Sequence, residues 1–191
     1  NLEDTFILKA QMNQLAITNS SVVHQNQRKA ANDIISEFTE DRTTLLVAAL
    51  GKTQSGKTGV MYSLIQESTN VCVDGFVPVK NVFVITGLSS NEWKEQTKAR
   101  LPQILRDNVF HRNELNKEFK KKISRKKNVL IIIDEIQIAC KLKQSLHATF
   151  KELLTTEYLI ENDIKIVEFS ATPNGTFSDL SHWEGHAKTV K

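Results

Sequence analysis

Apolar residues along this chain follow two alternating patterns. Short runs of branched apolar residues are typical of strands buried on both faces, and apolar residues at helical spacing indicate helices with one buried side. The runs predict strands at Thr43–Leu50, Val82–Ile85, Asn128–Ile133 and Ile164–Phe169. The helical spacing predicts helices at Leu2–Leu15 and Gln25–Phe38, from Lys57 onward, from Ser89 to Leu101, at Glu114–Lys126 and at Leu146–Leu154.

The order of these elements predicts an α/β fold. Strands that alternate with helices usually pair in parallel, so we expect a mostly parallel central sheet with helices on both faces. In such sheets the loops at the carboxyl ends of the strands carry the chemistry. We expect the main domain at 41–175, preceded by a helical extension at 1–40 and followed by a C-terminal tail at 176–191.

Composition and charge exclude only a few classes of protein. The 191 residues fit one domain, and a formal charge of +3 permits an acidic partner without requiring one. Cys72 and Cys140 match no disulfide framework, and no apolar run approaches the roughly 20 residues of a membrane span. The N-terminus lacks a signal-peptide pattern, so we expect no membrane partner and an intracellular location, cytoplasmic or nuclear. Frequent Asn, Ile and Lys are compatible with an AT-rich viral or bacterial genome.

A glycine-rich segment follows the first predicted strand. Its residues 51–58, GKTQSGKT, fit G-x-x-x-x-G-K-[ST] at every fixed position. The glycines let backbone N–H groups point at phosphate oxygens, Lys57 would contact the β- and γ-phosphates, and the Thr58 hydroxyl would bind Mg²⁺. The expected nucleotide-binding residues are Gly51, Thr53, Gln54, Ser55, Gly56, Lys57, Thr58 and Gly59. The alternative is a glycine-rich turn that matches the motif by chance.

Two adjacent carboxylates, Asp134 and Glu135, follow the third predicted strand. In a P-loop enzyme the first carboxylate holds Mg²⁺ and the second orients or deprotonates the attacking water. We therefore expect Lys57, Asp134 and Glu135 to be catalytic, with Thr58 and Asp134 as metal ligands. Alone, the acidic pair would be an ordinary strand end at the surface. Ser170-Ala171-Thr172 follows the last predicted strand and would place two hydroxyls near the same crevice, although by itself it is a common turn.

In this order, the P-loop, Asp134-Glu135 and Ser170-Ala171-Thr172 resemble the first RecA-like domain of superfamily 2 helicases and translocases. The resemblance implies a RecA-like P-loop NTPase fold, ATP and Mg²⁺ as cofactors, and coupling to nucleic acid through Ser170 and Thr172. It also implies that Gln27 reads adenine, for which a solvated helix glutamine is the alternative. Thr86 falls at the first nucleic-acid contact motif of that family, where Thr86-Gly87 replaces the usual Pro-Thr.

A second family shares part of this pattern. The string TQSGKTG at 53–59, followed by Thr86-Gly87 and by QTKARL at 96–101, is similar to the Z-one domain ATPases. Those proteins accompany restriction-modification and defence systems and share the helicase-like core. This resemblance implies an ATPase module of such a system.

A basic segment precedes the third predicted strand. It holds seven Lys and Arg residues between Lys117 and Lys127, with Glu118 as its one acid. A phosphate backbone is attracted to such a patch, so we expect DNA or RNA contact through Lys120, Lys121 and Lys122. A plain solvated helix face is the alternative.

Three functions are compatible with these motifs: a nucleic-acid motor, a regulatory or scaffolding nucleotide-binding module, and a small-molecule kinase. No Arg-rich lid follows Asp134, which disfavours the kinase. In the helicase family a second RecA-like domain completes the ATP site and supplies an arginine finger. The chain ends at Lys191 with no room for that domain, so we expect this chain alone to bind ATP and hydrolyse it slowly.

Overall fold

The structure, a computed structural model, describes residues 1–18, 23–51, 56–86, 91–111, 114–115, 117–134, 156–170, 183 and 185–191. Its strands are β1 Leu46–Leu50, β2 Val82–Thr86, β3 Val109–His111, β4 Val129–Asp134, β5 Ile164–Ser170 and β6 Ala187–Val190. Its helices are α1 Leu2–Thr18, α2 Gln25–Glu40, α3 Lys57–Ser68, α4 Asn91–Arg100, α5 Lys117–Ile123 and α6 Thr156–Glu161, with short 3₁₀ helices at Val79–Asn81 and Gln103–Asn108.

The six strands form one sheet in the order β3-β2-β4-β5-β1-β6, and every neighbouring pair is parallel. All carboxyl ends therefore lie along one edge. The strand β5 lies between β1 and β4, so its last residue falls between the ends of those two strands. The predicted α/β class with a parallel sheet is confirmed.

Helices cover both faces of the sheet because successive side chains of each strand point to opposite sides. One core packs alternate strand residues such as Val84 and Ile132 against α1, α2 and α3. The other core packs the intervening residues, such as Phe83 and Ile131, against α5 and α6. A strand buried on both sides must be apolar at every position, which explains the continuous apolar runs of the sequence.

Both ends of the chain are part of the main fold, whereas the sequence predicts a separate extension and a tail. Residues of the expected extension 1–40 enter the first core, among them Leu8 and Met12 of α1 and Ile34 of α2. The expected tail contains β6, which pairs with β1 in parallel. The strand β3 was not predicted either, because three residues are too few to show a period.

The basic helix is shorter than the predicted Glu114–Lys126. The helix α5 ends at Ile123, and Arg125 and Asn128 adopt left-handed backbone conformations with φ of 67° and 55°. Such conformations do not continue a right-handed helix. The Glu114 carboxylate instead accepts hydrogen bonds from the His111 backbone N–H and the Lys94 ammonium.

Two further predictions, the helix at Leu146–Leu154 and the Ser89…Glu92 cap of α4, lie outside the described residues and side chains. Among the described segments, none of the helices combines the length and apolar character needed to cross a bilayer.

Candidate nucleotide-binding site

The sequence motifs meet at the carboxyl edge of the sheet. Leu50 pairs with Ser170, and the Gly51 backbone N–H donates to the Ser170 carbonyl at 3.2 Å. On the next strand Asp134 pairs with Phe169 on one side and with Thr86 on the other. Parallel neighbours are roughly 4.8 Å apart, so the start of the P-loop, Ser170 and Asp134 lie within a few strand widths. Of the expected crevice residues, the structure thus brings Gly51, Asp134 and Ser170 to the same edge of the sheet.

Lys57 is the first residue of α3 and is buried, with 8% of its surface exposed. Gly56 precedes it at the cap position and has no side chain with which to cap the first backbone N–H groups. A helix start has unsatisfied N–H groups and a partial positive charge, both of which favour an anion. Thr58 and Gly59 follow in the first helical turn. Thr53, Gln54 and Ser55 lie outside the described residues.

Asp134 interacts electrostatically with Lys57, although the two residues are far apart in sequence. Burial raises the pKa of the Asp134 carboxyl, and the positive charges of Lys57 and Arg100 oppose that rise. The carboxylate accepts no hydrogen bond from any described residue. A buried acid with two nearby cations and open lone pairs is suited to share a phosphate-bound cation. Glu135 and Thr172 lie outside the described residues.

Gln27 is not a solvated helix glutamine, because it is only 8% exposed. Its Nε2 donates to the Gly56 carbonyl at 3.1 Å, and its Oε1 accepts from the His24 backbone N–H at 2.8 Å. Helix α2 is therefore tied directly to the P-loop. An amide has two N–H donors and two acceptor lone pairs, so one of each remains for a ligand.

Gly59 makes this contact possible. A Cβ at position 59 would clash with the side-chain amide of Gln27. A larger residue would therefore displace the Gln27 amide and break both of its hydrogen bonds. Gly59, directly after the P-loop motif, is thus explained by packing against α2.

We expect Gly59→Ala to lower the free energy of unfolding by about 1 kcal/mol, because losing the two hydrogen bonds of the Gln27 amide outweighs the gain of about 1 kcal/mol from alanine inside a helix. Urea denaturation monitored by circular dichroism measures this. Gly51→Ala is the matched control, because a Cβ there meets nothing within 4 Å. In the double variant Gln27→Ala/Gly59→Ala the clash is gone, so its loss should be smaller than the sum of the single losses. Strict additivity would contradict the contact.

A cavity of about 190 Å³ adjoins the P-loop on the side of α2. Its apolar wall includes Ala30, Ile34 and Val60, and polar groups of Asn26 and Gln27 lie at its border. The end of β6 also lines it, through Val190 and Lys191. A flat heterocycle with polar edges matches a site of this composition.

The basic segment lies away from this edge. The Lys126 ammonium donates to the Lys80 carbonyl, just before β2, and the Lys122 ammonium donates to the Asp107 carbonyl, just before β3. Both lysines therefore lie at the amino edge of the sheet. The six residues of β4 separate that edge from Asp134 by about 20 Å.

Two of the basic side chains have structural partners that the sequence did not reveal. Lys122 lies 5.3 Å from the centre of the Phe110 ring and Lys126 lies 5.4 Å from that of Phe83. Burial and the charges of Lys122 and Lys80 lower the pKa of Lys126. Lys120, Lys121 and Lys122 are all exposed, and of these three Lys122 has the two contacts described above.

Thr86 occupies a different environment from the one the sequence suggested. It is 3% exposed and is paired with Asp134, so the structure places it beside the candidate nucleotide-binding residues. Its assignment to a nucleic-acid contact stays a prediction. Arg100, from the QTKARL string, brings a positive charge near Asp134, and its backbone carbonyl accepts a hydrogen bond from the Tyr62 hydroxyl of α3.

Comparison with known proteins gives one relative. No family model matches the chain, and no solved structure matches it. An uncharacterized protein of Acanthamoeba polyphaga mimivirus is 31% identical over 172 residues, in an alignment that covers 78% of this chain. The chain spans 40% of the length of that viral protein.

Proposed function

We propose that this chain is an ATP-binding, Mg²⁺-dependent ATP-hydrolysing domain of RecA-like P-loop type, belonging to a helicase or translocase that acts on nucleic acid. One observation carries the proposal: the buried Lys57 at the start of α3 and the carboxylate of Asp134 interact electrostatically at the same strand edge. If the P-loop pattern matched by chance, there would be no reason for an acid far away in sequence to lie near its lysine.

The residues fit a nucleoside triphosphate with its metal ion. The start of α3 and the Lys57 ammonium would bind the phosphates, because both offer positive charge and donors. Thr58 and Asp134 would hold Mg²⁺, a hard cation that prefers oxygen ligands. The bound Mg²⁺ supplies charge neutralisation for phosphoryl transfer. Glu135, next along the chain, would orient or deprotonate the attacking water.

The cavity beside α2 supports adenine as the base. Apolar walls would stack on the ring, and the remaining donor and acceptor of the Gln27 amide would meet the edge of the base. Since Gln27 also bonds the Gly56 carbonyl, base binding would be linked to the position of the P-loop. Ser170 ends β5, which lies between β1 and β4, and it would transmit a change in nucleotide state.

Nucleic acid would contact the exposed lysines Lys120 and Lys121 through its phosphates. This surface lies at the opposite edge of the sheet from the ATP site, so the two ligands would not compete for space. Since the contact is electrostatic, its affinity should fall steeply with salt.

Calorimetry with ATP, in Mg²⁺ and in a chelator, tests the first part of the proposal. We expect saturable binding that tightens with Mg²⁺; failure of every nucleoside triphosphate to bind would overturn it. Phosphate release is then measured with Glu135→Gln as the control, with and without single-stranded DNA and RNA. A rate of ATP hydrolysis that neither DNA nor RNA changes would favour a module without motor function. In that case the double variant Lys120→Glu/Lys121→Glu would hydrolyse ATP at the same rate as the wild type.

A further inference from the structure

Thr86 has a buried hydroxyl that forms no hydrogen bond with any described residue. The residue is 3% exposed at the carboxyl end of β2, and its Oγ1 has no hydrogen-bond partner among the described residues. A buried hydroxyl without a partner destabilises the folded chain, and valine would fill nearly the same volume without that cost. The hydroxyl therefore needs an explanation outside packing.

The sheet register places this hydroxyl beside Asp134. Thr86 pairs with Asp134 on one side and with His111 on the other. By strand alternation all three residues are on the face whose core holds Val84, Ile132 and Val109, the face covered by α3. The Lys57 end of α3 lies over the same face, as its electrostatic effect on Asp134 requires.

We propose that Thr86 is a positioning residue of the nucleotide site, whose hydroxyl fixes the Asp134 carboxylate and the water bound to it. This inference rests on the proposed function. A hydroxyl has one donor and two acceptor sites, so with Mg²⁺ bound Thr86 would donate to a carboxylate oxygen of Asp134 and accept from a water of the ion. Such partners orient a ligand and hold it ready for the metal, and removing them lowers metal affinity.

Burial makes direct contact between Thr86 and a nucleic-acid strand the weaker assignment. A phosphate or base could reach the hydroxyl only after the strand edge opened, whereas Asp134 is already its neighbour in the sheet. The chemistry of Thr86 thus belongs to the Mg²⁺ side of the ATP site.

Thr86→Val and Thr86→Ser test the role. Calorimetry measures the ATP affinity at a series of Mg²⁺ concentrations. The quantity compared is the Mg²⁺ concentration at which half of the Mg²⁺-dependent increase in ATP affinity is reached. We expect Thr86→Val to raise it about 10–100-fold, the usual effect of losing such a partner, and Thr86→Ser to restore it. ATP affinity in chelator should stay unchanged. Thermal stability should stay equal or rise, because an unpartnered hydroxyl is removed.

Thr44→Val is the matched control. Thr44 is also buried, at 4% exposure, and its Oγ1 also lacks a partner among the described residues, but it precedes β1 at the amino edge. The inference would be overturned if ATP binding by Thr86→Val depended on Mg²⁺ as it does in the wild type. It would also be overturned if Thr44→Val raised the required Mg²⁺ concentration as much as Thr86→Val does. If Thr86→Val does not fold, Thr86→Ala is measured against the same criteria.

Two outcomes separate this inference from the proposals on which it rests. If the wild-type chain binds no nucleotide, the proposed function itself fails and the inference with it. If Thr86→Val keeps normal Mg²⁺ dependence but loses retention on single-stranded DNA or RNA, ATP binding stands and Thr86 is a nucleic-acid contact instead.

Discussion

Replacing Lys57 by Ala is expected to weaken ATP binding by about 10–100-fold, because hydrogen bonds to a charged group contribute about 1.5–3 kcal/mol and each 1.4 kcal/mol is tenfold in affinity. Lys57 is buried at the start of α3. Isothermal calorimetry with Mg²⁺ and ATP measures the change.

Lys57→Met separates the charge from the packing, since methionine retains an apolar stem of similar length. It should lose ATP affinity as Lys57→Ala does while melting close to the wild type. Lys29→Ala is the surface control, because Lys29 forms an exposed ion pair with Asp33 on α2. If Lys57→Met bound ATP as the wild type does, the phosphate-binding role of Lys57 would be wrong.

Phe119→Ala is expected to lower the free energy of unfolding by about 3–5 kcal/mol, the usual loss for a buried aromatic ring. Phe119 is fully buried and meets the rings of Phe83 and Phe110 at 6.1 Å and 5.2 Å between centroids, edge to face. Its ring anchors α5, and with it the lysines of the basic segment, to the sheet.

Phe6→Ala is the control for this loss. Phe6 is 70% exposed on α1, so its truncation should change the free energy of unfolding by no more than about 0.5 kcal/mol. Chemical denaturation of both variants gives the comparison. Equal losses would contradict the assignment of Phe119 to the core of the second face.

Within the described residues, the sequence predicted most helices and strands well, including both N-terminal helices, and missed the last strand. Val129–Asp134 was predicted to within a residue because every position of a doubly buried strand must be apolar. The short strand β6 was missed, since Ala187–Val190 has no apolar run and becomes a strand only by pairing with β1. The basic helix was predicted too long, because charge does not indicate where a backbone turns left-handed at Arg125.

The sequence by itself determined the P-loop motif, its Lys57 and the acid that ends β4, because these depend on residue types at fixed local spacing. Only the tertiary structure decided that β5 lies between β1 and β4, that Lys122 covers Phe110, and that Thr86 adjoins Asp134. Strand order and register arise from packing between segments distant in sequence, and a local pattern carries no record of which distant segment will be its neighbour.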